Sequence, residues 1–92
     1  MSVQKRVSLV ITGKVQGVGY RYSMKLKAES LVIRGYVRNQ LDGSVFVTAQ
    51  GETTAVENFL KWCYMGPPAA LVIGIEKTPE SIEDFSEFSI LY

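Results

Sequence analysis

The stretch VSLVITGKVQGVGYRYSMKLKAESL, residues 7–31, changes its hydrophobic period midway. Val7, Leu9 and Ile11 alternate with Ser8, Val10 and Thr12, the two-residue period of a strand, and the run ends at Gly13. A loop with three glycines follows, from Gly13 to Gly19. Then Tyr20, Met24, Ala28 and Leu31 recur at helical spacing, with Lys25, Lys27 and Glu29 turned outward. A strand therefore passes through a short loop directly into a helix.

The same logic carries through the rest of the chain. A second strand is expected over about Gly35 to Asn39. Asp42-Gly43 marks a hairpin before a third strand, in which Val45, Val47 and Ala49 alternate. Thr54-x-x-Glu57 reads as a capping box opening a second helix, whose stripe is Val56, Phe59, Leu60, Cys63 and Tyr64. Gly66-Pro67-Pro68 ends that helix, because proline cannot continue it. Leu71, Ile73 and Ile75 form a fourth strand, Thr78 to Asp84 a polar connection, and Phe88, Ile90 and Tyr92 a short last strand. The order β-α-β-β-α-β predicts an α+β, ferredoxin-like (split βαβ) two-layer sandwich: an antiparallel sheet with two helices on one face. The extra strand closes the chain.

Ninety-two residues, 47% of them hydrophobic and 21% charged, predict one globular domain over 1–92. There is no histidine, which removes histidine-based acid–base chemistry and metal ligation. A lone Cys63 removes an internal disulfide and any multi-cysteine zinc site, and it is expected in the core. So small a domain without disulfide staples points to a reducing, cytoplasmic compartment. No apolar run reaches the roughly 18 residues of a membrane span, and the N-terminus leads into a strand without a signal peptide.

Charge is divided along the chain. Residues 1–40 hold eight lysines and arginines against Glu29 alone, whereas residues 41–92 hold Lys61 and Lys77 against eight acids. The first part can attract an anion, although solvated faces on opposite elements would produce the same division. Within it, Gly13 to Arg21 combines turn-permissive glycines, a helix N-terminus with unpaired N–H groups, and Arg21 in the first helical turn. A cation there opposes the helix dipole unless an anion is expected. The loop lacks the closing Gly-Lys-Ser/Thr of a P-loop, and Tyr22 breaks the dinucleotide fingerprint. On its residues alone it reads either as an anion nest or as a tight strand-to-helix connection. Asn39, likewise, reads alone as a turn former ahead of Asp42-Gly43.

GKVQGVGYR, residues 13–21, resembles the acylphosphatase signature G-x-V-Q-G-V-x-F/Y-R. GYVRNQLDGSV, residues 35–45, is similar to that family's second signature, G-x-V-x-N-x-x-D-G-x-V. The likeness continues through Gln50-Gly51, Phe59-Leu60-x-Trp62, Gly66-Pro67 and Phe88-x-Ile90-x-Tyr92. It implies hydrolysis of small-molecule acyl phosphates to carboxylate and inorganic phosphate, with no metal and no cofactor. It puts the family's phosphate-binding arginine at Arg21 and its water-orienting asparagine at Asn39. The main chain of Val15, Gln16, Gly17, Val18, Gly19 and Tyr20 would cradle the phosphate.

Three positions depart from the family pattern. Val32 stands where glycine is usual after the first helix, predicting a strained helix end. Leu91 stands where an arginine is usual before the last tyrosine. Leu71 to Ile75 lacks the charges of many relatives, so a flat apolar edge there would invite weak self-association of an otherwise monomeric protein. Two other readings remain open: a non-catalytic phosphate-binding or interaction module of the same fold, and an RNA-binding sheet using Tyr36, Arg38 and Phe46. No RNP-like motif supports the second, so neither nucleic acid nor membrane is expected as a partner.

Overall fold

The computed structural model of the chain describes residues 3–92, which leaves Met1 and Ser2 of the expected lead-in outside the described residues. The elements in order are β1 (Gln4–Lys14), α1 (Tyr20–Ser30), β2 (Arg34–Asn39), β3 (Val45–Glu52), α2 (Thr53–Met65), β4 (Leu71–Glu80) and β5 (Phe88–Leu91). The sheet order is β4-β1-β3-β2-β5. The first four of these strands pair antiparallel, as expected for two interleaved split βαβ units. β5 adds to β2 in parallel, so the complete sheet is mixed.

Alternation along the strands sends Val7, Leu9, Ile11, Val37, Val45, Val47 and Ala49 to one face, where all are buried. Tyr20, Met24 and Ala28 of α1 and Val56, Phe59 and Cys63 of α2 close that face. Phe59 meets Phe88 of β5 edge-on, with ring centroids 5.9 Å apart. Fully burying such side chains stabilises by about 1.5–3 kcal/mol each. Tyr64, expected on the α2 stripe, is exposed instead, since it lies round the helix from Phe59 and Cys63 at the margin of the stripe.

The capping box expected at Thr54 and Glu57 does not form. β3 runs to Glu52 and α2 starts at Thr53, so Thr54 is already inside the helix. The Thr53 N–H and hydroxyl instead donate to the Val3 carbonyl, and Glu57 faces Lys5 at 3.8 Å. β4 is also longer than its apolar run, because Thr78 to Glu80 continue to pair with β1. This strand lies at an edge of the sheet, but the edge is not flat. The β1–β4 register shifts between Thr12 and Gly13, leaving Ile73 outside the pairing, and Pro79 removes a donor further along. Both features blunt an edge against pairing with another chain.

The second face of the sheet is not left open. The segment between β4 and β5 crosses it, and Arg6 of β1 is the point of attachment. The Arg6 Nε donates to the Ser81 carbonyl at 2.6 Å and one terminal nitrogen to Thr48 Oγ1 at 2.9 Å. The other lies 3.3 Å from both Glu80 and Glu83. Gln50 exchanges two hydrogen bonds with the Glu83 backbone, and Phe85 packs edge-on against Tyr36. Thr48 and Gln50 are therefore buried on the polar side of their strand. Of the residues considered for RNA stacking, Tyr36 and Phe46 pack together at 6.1 Å and Arg38 lies 4.8 Å from the Phe46 ring.

α1 ends in a complete Schellman motif. Ile33 N–H donates to the Ala28 carbonyl at 2.8 Å and Val32 N–H to that of Glu29 at 3.2 Å. Val32 occupies the left-handed position with φ 56°, the strain expected from its sequence position. For a β-branched residue that conformation costs about 1–2 kcal/mol. Val32→Gly is expected to stabilise the fold by about 1 kcal/mol after glycine's extra chain entropy, raising Tm by roughly 4–8 °C in a domain of this size. Thermal unfolding of the two proteins checks this; an unchanged or lower Tm would contradict it.

Candidate active site

Strand polarity brings the segments that carry the expected site residues to one end of the sheet. β1 and β2 are each antiparallel to β3, and β5 is parallel to β2, so all three run the same way. Their C-terminal ends meet at one end of the sheet. β1 there enters the glycine loop, β2 ends at Asn39, and β5 delivers Tyr92. The rungs Ile11 to Val45 and Val45 to Asn39 put Asn39 two strands from β1, roughly 10 Å at ordinary strand spacing.

The loop holds its shape through glycines and a tether. Gly17 and Gly19 adopt φ 74° and 77°, which side-chain-bearing residues rarely take. Val15 is buried and Val18 packs against the core. Among the described residues, the N–H groups of Val15 to Gly19 reach no protein acceptor, and the first helical bond runs from Ser23 N–H to the Gly19 carbonyl at 3.0 Å. α1 thus opens with no side-chain cap and no acid in its first turn. Consecutive unpaired donors at a helix start favour an anion. The Gln16 side chain does not face that concavity. Its Nε2 donates to the carbonyls of Gln40 at 2.8 Å and Ser44 at 2.9 Å, tying the loop to the β2–β3 hairpin.

A cavity of about 170 Å³ opens beside the loop, walled by Val15, Gly17 and Gly19, by Tyr20, Arg21 and Tyr22 of the first turn of α1, and by Ile90 and Tyr92 at the end of the chain. Gln16, Val18 and Asn39 are not in its wall. The Arg21 guanidinium lies 5.2 Å from the Tyr92 ring centre and, among the described residues, has no carboxylate partner. A stacked guanidinium keeps its edge donors for a planar or tetrahedral oxyanion. Asn39 Oδ1 is buried and accepts no hydrogen bond from the protein. An unpaired buried acceptor costs about 1–3 kcal/mol.

The hairpin beyond Asn39 is held by polar contacts. Asp42 Oδ1 accepts from the Ser44 N–H at 2.9 Å and hydroxyl at 2.6 Å, and Gln40 Nε2 donates to Ser44 Oγ. The Ser44 hydroxyl and N–H hold the Asp42 carboxyl below the usual range. Elsewhere, burial pushes the Cys63 thiol far up, which leaves it a core group rather than a nucleophile. Burial, then Cys63, does the same to the Tyr20 phenol. Reading the sequence missed Ile90 and Tyr92 as walls and the tether role of Gln16; the closing Phe88-x-Ile90-x-Tyr92 alternation was the only signal for the walls.

The acylphosphatase family model matches residues 7–90. The chain belongs to the acylphosphatase family. An acylphosphatase of Acaryochloris marina is 51% identical over 82 residues, covering 89% of this chain and 88% of that protein. The crystal structure of acylphosphatase from Bacillus subtilis superposes with TM-score 0.93 at 34% identity, covering 96% of this chain and 99% of that one. That of an acylphosphatase from Coxiella burnetii gives 0.92 at 34% identity, over 96% and 93%. As an acylphosphatase the chain is a hydrolase of small-molecule acyl phosphates. Among the described residues, no helix is long and apolar enough to cross a membrane.

The Asp42 shift has a consequence with a definite sign. A carboxyl whose folded pKa is lowered contributes stability above its unfolded value, about 3.9, and loses it as pH falls through the folded value. Protection of the Ser44 amide should therefore drop on acidification below about pH 4. In Asp42→Asn, which cannot titrate, that step should vanish. Amide exchange across pH 2–6 reads both, and an identical profile in the variant contradicts the assignment.

Proposed function

We propose that this acylphosphatase works without a metal, with Arg21 and the main-chain donors of Val15, Gln16, Gly17, Val18, Gly19 and Tyr20 binding the phosphoryl group and Asn39 orienting the attacking water. The observation that carries the reading is Arg21 without a described carboxylate partner, in the wall of one cavity with the loop glycines. The water oxygen bonds to phosphorus as the bond between phosphorus and the acyl oxygen breaks, and the carboxylate departs with that electron pair. The proton of the water passes to a phosphate oxygen. A carboxylate is a stable leaving group, so no acid need protonate it, and a chain without histidine suits the reaction. Phosphoryl transfer then asks chiefly for positioning and charge stabilisation. Asn39 cannot act as a base; a carboxamide offers a water both a donor and an acceptor, and among the described residues the Asn39 Oδ1 is not taken by a protein donor.

Metal independence is supported by the donor set. Among the described residues no three Asp, Glu or Cys side chains stand together in a ligating group, and Glu80 and Glu83 serve Arg6 on the far face of the sheet. We further take residues 1–92 as one acylphosphatase-like domain, monomeric at the blunted β4 edge, with no nucleic-acid partner and a cytoplasmic setting that suits the free, buried Cys63.

Three measurements test this. Benzoyl phosphate should be cleaved equally with and without chelator; loss of turnover on chelation overturns metal independence. Arg21→Ala should weaken inhibition by inorganic phosphate and lower kcat/KM by roughly 10²–10³, the usual cost of one transition-state donor. Asn39→Ala should lower kcat while leaving phosphate inhibition near wild type, and an unchanged kcat removes its role. Phosphate binding with no turnover in the wild-type protein would instead favour the non-catalytic module.

A further inference from the structure

Tyr20 is the first residue of α1, the neighbour of Arg21 and part of the cavity wall, yet its hydroxyl is turned away from the loop towards α2. It is 1% exposed, and its hydroxyl donates to the Cys63 carbonyl in the last turn of α2. Its ring packs on Trp62 with centroids 5.7 Å apart and planes tilted by 40°. Gly66, which caps α2 with φ 64°, sits against the same ring: a Cβ there would come within 2.6 Å of Tyr20 Cε2. Trp62, Cys63 and Gly66 of the α2 terminus thus grip one side chain at the start of α1.

The grip answers a deficiency on each helix. The last four carbonyls of a helix lack intrahelical donors. In α2 the Trp62 carbonyl receives Gly66 N–H at 2.8 Å, and the Cys63 carbonyl receives the Tyr20 hydroxyl. α1, for its part, begins at Tyr20, after Gly19, with no side-chain cap and no acid in its first turn. An uncapped first turn frays readily, but here it carries Arg21 and the unpaired amides. We infer that Tyr20 is a positioning residue, a latch that uses the C-terminal turn of α2 to hold the first turn of α1, and with it Arg21, in the phosphate-binding geometry. The inference rests on the proposed role of Arg21 and the loop in binding phosphate. Burial keeps the phenol protonated, so the latch persists through alkaline conditions that would ionise an exposed tyrosine.

Tyr20→Phe removes the hydroxyl and keeps the ring and its packing on Trp62. Two readouts should move together. KM for benzoyl phosphate and the inhibition constant of inorganic phosphate should both rise roughly three- to ten-fold, what an ordinary hydrogen bond supports, with kcat much less affected. Exchange of the Ser23 amide, the first hydrogen-bonded N–H of α1, should quicken relative to the Leu31 amide at its other end. Gly66→Ala, whose added methyl presses on the ring, should move both readouts the same way and serves should the first variant fail to fold. If Tm falls while KM, phosphate inhibition or Ser23 exchange stays at the wild-type value, Tyr20 is only a core residue and the latch is wrong. Absence of turnover and of phosphate binding in the wild-type protein would instead strike the hydrolase reading.

Discussion

Two hydrogen bonds from one carboxamide join the halves of the site. Gln16 Nε2 reaches the carbonyls of Gln40 and Ser44, so the loop after β1 and the turn after β2 form one body. Without that tether the loop would be held at this end only by the burial of Val15 and the packing of Val18. The hairpin is a suitable anchor because Asp42, Ser44 and Gln40 already satisfy one another. Arg21 and Asn39 are thereby carried on parts that move together, as the proposed phosphoryl chemistry would require.

Behind this front lies a division of labour between the two faces of the sheet. The apolar face carries the core and receives both helices. The polar face carries Arg6, whose guanidinium collects Ser81, Thr48, Glu80 and Glu83. That cluster directs the chain from the β4 edge across the sheet to the β2 edge, where β5 pairs in parallel. The crossing is what delivers Ile90 and Tyr92 to the cavity. A network remote from the glycine loop therefore sets one wall of the cavity. Partly buried charged hydrogen bonds of this kind are worth about 1.5–3 kcal/mol each, less for the more exposed Glu83.

The two helices connect the layers in a similar way. α1 must present uncapped amides at its start if they are to meet an anion, and an uncapped start is weak. The Tyr20 hydroxyl ties that first turn to the last turn of α2 while leaving its amides without a protein acceptor among the described residues. At its other end α1 closes with a full Schellman motif despite Val32, because Ile33 and Ala28 bury together beneath it.

The sequence alone determined the order of elements, the inward faces, the strained Val32 and the two motifs that name the site. These depend on residue periods, on proline and glycine stereochemistry, and on types of residue at fixed spacing, all local properties of the chain. Only the tertiary structure decided the rest. Whether Thr54 caps a helix turns on where β3 stops, and whether an edge is flat turns on a register shift opposite Gly13. Arg6 as an anchor, Gln16 as a tether and Tyr92 as a wall rest on partners that lie between 24 and 75 residues away or across the sheet. Such pairings exist only after the chain has closed on itself, because side-chain reach is a few ångströms whereas no local rule specifies which distant segment will come within it.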